Sequence, residues 1–213
     1  DFTLSNCVNS GLKKIYVLSQ YKSHSLSRHI QRGWLQFFSY PMGEFIYDIP
    51  AQQRIGSSWY EGTADAVFQN IYSLQQNMIP LTLILSGDHI YQMNYMDMIR
   101  FHLENEAEVT LGAVPMPVET ASQFGIVKAD KDMNVVGFQE KPRKDPVTMP
   151  GDPSRVLVSM GIYVFHTKML IRKLVEDAKL KTSSHDFGKD IIPKMVRNNK
   201  VMAYPFKDIM RAS

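Results

Sequence analysis

Apolar positions along the chain follow two alternating rhythms, the three-to-four spacing of amphipathic helices and the short β-rich runs of buried strands. Phe2 to Ser10 carries a helical pattern that Gly11 closes as a C-cap, and Lys14 to Ser19 holds the run Ile15-Tyr16-Val17-Leu18. A second helix is predicted over Ser25 to Trp34, and a short strand over Phe45 to Ile49 leads into the polar segment Ala51-Gln52-Gln53-Arg54. A third helix, Thr63 to Gln76, puts Ala64, Val67, Ile71 and Leu74 on one face. The run Leu81-Thr82-Leu83-Ile84-Leu85, closed by Ser86-Gly87-Asp88, reads as a strand buried on both faces of a parallel sheet.

Helix over Tyr95 to Asn105 and strand over Val109 to Val114 continue the alternation. It predicts an α/β fold, a Rossmann-like three-layer sandwich around a mostly parallel central sheet. The pattern then changes. Ile126-Val127-Lys128 and Val135 to Gln139, joined by the polar turn Asp130 to Asn134, predict a hairpin beside the main sheet. Pro142, Pro146, Pro150 and Pro153 mark a long connection, of a length that is usually functional or mobile. Strand returns at Met160 to Phe165, followed by helices over Lys168 to Ala178 and Asp190 to Arg197, and Ala203 to Phe206 reads as the start of another strand.

With 213 residues and 44% hydrophobic content, the chain can bury one sizeable core, so a single α/β domain is expected. The net charge of +3 is spread out rather than gathered into basic blocks, which argues against nucleic acid as the main partner and leaves room for a few cations aimed at phosphates. Cys7 is the only cysteine, so neither an internal disulfide nor a cysteine zinc cage is available, and a reducing cytoplasmic setting is expected. No apolar run approaches membrane-spanning length. The chain starts directly in amphipathic sequence without Met and its last strand is short, which suggests a fragment.

In open α/β sheets ligands bind beyond the carboxyl ends of strands. Asp88 is predicted there, where a carboxylate either holds Mg²⁺ together with phosphate oxygens or caps the following turn. Gly62-Thr63 opens a helix whose N–H groups could receive phosphates or a base edge, though Thr63 also reads as an ordinary N-cap. In Glu140-Lys141-Pro142 the lysine could meet a monophosphate and the glutamate sugar hydroxyls, or the two form a plain surface pair. His24 and His29 fall on different helix faces, and His185-Asp186 sits in a Ser-rich turn that reads as a helix cap, so neither a zinc site nor a hydrolase triad is indicated.

Taken in order, these segments closely resemble the bacterial ADP-glucose pyrophosphorylases (glucose-1-phosphate adenylyltransferases), a branch of the sugar nucleotidyltransferases. The resemblance runs through Pro50-Ala51-Gln52-Gln53-Arg54, Trp59-Tyr60-Glu61-Gly62-Thr63-Ala64-Asp65-Ala66, Ser86-Gly87-Asp88-His89-Ile90-Tyr91, Phe124-Gly125-Ile126, Glu140-Lys141-Pro142, Ser159 to Phe165 and Ser183 to Asp190. It implies the nucleotide-diphospho-sugar transferase fold and the transfer of AMP from ATP to glucose 1-phosphate, the first committed step of glycogen synthesis. A thymidylyl- or uridylyltransferase of the same fold, a non-catalytic regulatory subunit and a simple sugar-phosphate binding module are the alternatives.

Carried over at matching positions, the resemblance implies that Asp88 holds Mg²⁺, that Gln52, Gly62 and Thr63 lie around the adenine, and that Tyr60 lines the sugar side. It implies a glucose 1-phosphate site of Gly125, Glu140, Lys141 and Ser159. Gln20 and Trp59 match positions that pass an activator signal, in a homotetramer controlled by allosteric metabolites. Gln76 replaces an arginine of the inhibitory AMP site in enterobacterial relatives. A glycine-rich segment before this region, and a second metal-binding aspartate and a β-helix domain after it, are missing from these residues, so little activity is expected of this stretch alone.

Overall fold

A computed structural model describes residues 1–51, 59–77 and 79–206. In chain order the elements are α1 (Phe2–Asn9), β1 (Lys14–Ser19), α2 (Ser23–Gly33), β2 (Phe45–Pro50), α3 (Thr63–Gln69), α4 (Ile71–Asn77), β3 (Leu81–Ile84), α5 (Tyr95–Glu104), β4 (Val109–Pro117), β5 (Gly125–Ala129), β6 (Val135–Glu140), β7 (Arg155–His166), α6 (Thr167–Ala178), α7 (Ile192–Asn198) and β8 (Val201–Pro205). The alternation seen in the sequence is thus present almost element for element.

The twelve-residue strand β7 organises the sheet. Along one edge it pairs with β4, and β4 in turn pairs with β8; along the other edge β3 pairs with one half of β7 and β5 with the other. β7 runs antiparallel to β3, β4 and β5, whereas β4–β8 and the separate pair β1–β2 are parallel, so the sheet is mixed. The sheet departs from the sequence expectation at two places. β3 lies antiparallel to β7 and is only partly buried, and the hairpin β5–β6 extends the main sheet through β5 instead of sitting beside it.

Side-chain alternation along β7 divides the interior into two layers. Tyr163 and Phe165 face α3, α6 and α7, where Val67, Leu170, Leu174, Ile192 and Met195 complete the packing. Ile162 and Val164 face the opposite layer, against Cys7 of α1 and Tyr95 and Met98 of α5. This is the three-layer sandwich. No helix among the described residues is long and apolar enough to cross a membrane.

The helix expected over Thr63 to Gln76 is two helices. Its apolar stripe continues across the break, but the Asn70 side chain folds back, donating to the Ala66 carbonyl at 2.8 Å and to the Tyr60 hydroxyl at 3.0 Å. Asn70 leaves helical geometry at φ −110, ψ 17, an example of a short amide competing with the backbone ladder. The helix expected from Asp190 likewise starts as a π-helical turn over Phe187–Ile191 and becomes α-helical only at Ile192.

His102 in α5 is completely buried, shares a 2.8 Å hydrogen bond with the Thr110 hydroxyl, and leaves Nε2 without a partner among the described residues. Burial, assisted by the neighbouring His166, pushes its pKa down to about 4. The folded state therefore keeps this ring neutral while an unfolded chain protonates it below about 6.5. Stability is complete above that value and falls as pH drops towards 4. Between pH 7 and pH 5 the loss from this group is about 2 kcal/mol. Urea denaturation at the two pH values should show a smaller drop in His102→Gln, and equal drops would rule out this group as the cause.

Candidate active site

β3 ends at Ile84 opposite Tyr163, and β5 begins next to the Ile126–Val158 pair, so the stretch of β7 between them has no strand on that edge. On the other edge the same stretch bulges. Leu111 faces Tyr163 and Ala113 faces Ser159, so a two-residue step on β4 spans a four-residue step on β7. Gly161 takes the left-handed conformation at φ +65 that lets the strand kink here. A side chain at Gly161 would lie 3.7 Å from Cβ of Ser86, which places the loop leaving β3 directly at the interruption.

That loop carries Asp88. Its side chain is 80% exposed, with the His89 imidazole 3.7 Å away. A hydrogen bond from the Ser86 hydroxyl, reinforced by His89, outweighs partial burial and holds the Asp88 carboxyl below the usual carboxylate range. The result is an open, ionised carboxylate at the carboxyl end of a strand. A single such oxygen donor suits Mg²⁺, which keeps several waters and takes its other ligands from phosphates. Among the described residues no group of three or more His, Cys, Asp or Glu side chains is placed to form a protein-only metal cage.

The other side of the interruption is built by the hairpin. Gly125 faces Glu140 across the β5–β6 ladder, and a Cβ on Gly125 would stand 3.1 Å from the Glu140 carboxylate. A Cβ on Gly188 would come within 2.9 Å of the same oxygen, so the Glu140 carboxylate lies over two glycines. Burial, only partly offset by Lys141 and Lys189, raises its pKa, with Asp186 adding to the rise. None of the described residues hydrogen-bonds to it, which leaves a half-buried acceptor ready for a donor from a ligand. Lys141 is exposed and adopts φ +46, an unusual conformation for a residue with a side chain, while its amide still donates to the Phe124 carbonyl at 3.1 Å.

Ser159 and Tyr163 lie below, on β7. Burial pushes the Tyr163 phenol up to about 12, against a hydrogen bond with Ser159, and the charges of Asp186 and Glu140 are near enough to push the same way.

Gly62 and Thr63 join this region through the turn that precedes α7. The Thr63 hydroxyl donates to Asp186 at 3.0 Å and accepts the Phe187 amide at 3.1 Å. The amides of Ala64 and Asp65 both donate to the His185 carbonyl. Those N–H groups, expected to be open to a ligand, are therefore occupied by the protein itself. Gly62 is extended at φ −165, and a Cβ there would fall 2.3 Å and 2.4 Å from the carbonyl oxygens of His185 and Ser184, so no larger residue fits.

Gln52 lies outside the described residues. Tyr60 accepts from Asn70, Trp59 is half exposed beside it, and Gln20 follows β1 directly. Sequence reasoning singled out Asp88, Gly125, Glu140, Lys141 and Ser159 but missed Ser86, Tyr163, Asp186 and Gly188. Asp186 does cap the next turn as expected, accepting from the amides of Gly188 and Lys189; its second oxygen takes the Thr63 hydroxyl. A glycine and an aspartate around one aromatic residue were the available signal.

The chain is 50% identical to a glucose-1-phosphate adenylyltransferase of Thiobacillus denitrificans over 209 residues, covering 98% of this chain and 47% of the relative. It is 50% identical over 208 residues to the protein of the same name from Hydrogenovibrio crunogenus, covering 98% and 49% of the two chains. With glucose-1-phosphate adenylyltransferase 1 of Alkalilimnicola ehrlichii the identity is 52% over 209 residues, again 98% and 49%. The chain spans about half the length of the curated relatives it matches. The nucleotidyl transferase family model matches residues 1–210, and the chain belongs to that family.

Proposed function

We propose that the chain forms the catalytic region of an enzyme that transfers AMP from ATP to α-D-glucose 1-phosphate, releasing pyrophosphate and ADP-glucose, as the first committed step of glycogen synthesis. The observation that carries this reading is that two arms flank one interrupted edge of β7: the Ser86–Asp88 loop on one side, Gly125 and Glu140-Lys141 on the other. The relatives named for this reaction support the same reading.

In the proposed reaction a phosphate oxygen of glucose 1-phosphate attacks the α-phosphorus of ATP in line. A new phosphorus–oxygen bond forms, the bond to the bridging oxygen breaks, and pyrophosphate leaves with that electron pair. Such a displacement depends on alignment and charge neutralisation more than on acid–base groups. Lys141 neutralises the attacking phosphate, and the Glu140 carboxylate accepts from sugar hydroxyls, assisted by Gly125, Ser159 and Tyr60. Gly62, Thr63 and Gln52 seat the adenine. Asp88 would hold Mg²⁺, which when bound neutralises triphosphate charge. We place the reaction in the cytoplasm, in a homotetramer whose metabolite effectors act through Gln20 and Trp59.

The test is pyrophosphate release by the intact polypeptide with glucose 1-phosphate and ATP, dTTP or UTP. ATP should exceed the others by at least ~10-fold in kcat/KM. Preference for dTTP or UTP would replace the adenylyl assignment with a thymidylyl or uridylyl one, and failure with all three would favour a regulatory subunit.

A further inference from the structure

Asp177 stands at the wrong end of its helix. It lies in the last turn of α6, where the helix dipole disfavours a negative charge, and it is only 3% exposed. A buried carboxylate persists only where partners replace its water. Here the Lys194 ammonium from α7 donates at 2.6 Å, His185 Nδ1 lies at 2.9 Å, and the Ser183 hydroxyl reaches both oxygens at 2.8 and 2.9 Å. Burial alone would raise this carboxyl, but these bonds outweigh it and hold it below its ordinary range. Two of the three partners belong to the 183–186 turn.

That turn holds the start of α3. His185 sits at φ +51, a conformation that needs outside support in a residue with a bulky side chain. Its ring is clamped between Asp177 and Glu61, the latter 3.6 Å from Nε2, while its carbonyl receives the amides of Ala64 and Asp65. We propose that Asp177 is a positioning residue for nucleotide binding: by clamping His185 it fixes the carbonyl that anchors the first turn of α3, and so sets the place of Gly62 and Thr63. The inference rests on the assignment of Gly62 and Thr63 to the nucleotide. Among the described residues Asp177 forms no hydrogen bond or ion pair with a residue assigned to either substrate, and it acts through the turn that His185 and Ser183 tie to it.

The experiment measures steady-state kinetics of the intact polypeptide, well below its melting temperature, for Asp177→Asn, His185→Leu, His185→Asn and the Asp177→Asn/His185→Leu pair. Asp177→Asn and His185→Leu should each raise the KM for ATP about tenfold and lower kcat by less than about threefold. His185→Asn should stay close to the parent, because the amide nitrogen can reach Asp177 and asparagine tolerates the left-handed backbone. The double variant should be no worse than either single one, since both cut the same link. An unchanged KM for ATP in the single variants, whatever their melting temperatures, overturns the proposal, as does an additive double variant. Should Asp177→Asn fail to fold, the contrast between His185→Leu and His185→Asn decides alone. A parent enzyme inactive with ATP overturns the functional reading and this inference with it; an active parent with indifferent variants overturns only the inference.

Discussion

Replacing Asp88 with asparagine is expected to lower kcat of the intact polypeptide by about a thousandfold while leaving its melting temperature essentially unchanged. The two halves of this expectation have separate causes. Asp88 lies in an open loop with its side chain 80% exposed, and no packing depends on it, so the substitution belongs with surface changes that move stability by no more than about 0.5 kcal/mol. The charge is another matter. Ser86 and His89 hold the carboxyl ionised. An asparagine oxygen is neutral and a far weaker donor to a hard dication. In the proposed reaction the lost neutralisation would fall on the transferring phosphates, where charge is greatest. Turnover within tenfold of the parent at saturating substrates would remove Asp88 from the mechanism.

The second large effect is expected at Lys141, where alanine should raise the KM for glucose 1-phosphate by about a hundredfold and change that for ATP by less than about threefold. A charge-assisted contact between ammonium and phosphate contributes about 3 kcal/mol, which corresponds to roughly two orders of magnitude in affinity. Alanine meets the same backbone restriction at φ +46 as lysine, and the residue is exposed, so the fold should tolerate the change. Lys141→Arg separates charge from geometry, because a planar guanidinium keeps the charge but not the compact point contact. Titration of both substrates reads out the result. An unchanged KM for glucose 1-phosphate in Lys141→Ala would exclude the lysine from that site.

The helices and strands were largely legible from hydrophobic spacing because most are amphipathic segments packed on one sheet. Asp88 was legible for the same reason: a short apolar run ending in Gly-Asp marks the exit of a strand. What failed did so where a distant partner decides the outcome. Thr63 looks like a self-sufficient cap in any local window, yet its hydroxyl serves Asp186, 123 positions along the chain. The stripe Ala64, Val67, Ile71, Leu74 fits one helix, and only the side-chain bonds of Asn70 show why there are two. The direction of β3 could not be read either, since an apolar run looks the same beside a parallel or an antiparallel neighbour.

The kink in β7 acts as a ruler. One continuous strand carries the Asp88 arm at one end and the hairpin arm at the other, and where it takes a four-residue step β4 takes two, so the extra residues are absorbed in the bulge and pairing with β4 holds the span to about 7 Å at the usual rise of about 3.4 Å per strand residue. Reacting atoms must approach to roughly 3–3.5 Å. Shortening the bulge by a single residue would turn the side chains on one side of it to the opposite layer, and so would spoil the way the two proposed half-sites face each other. The spacing between the two proposed half-sites would thus follow from the pairing of β7 with β4.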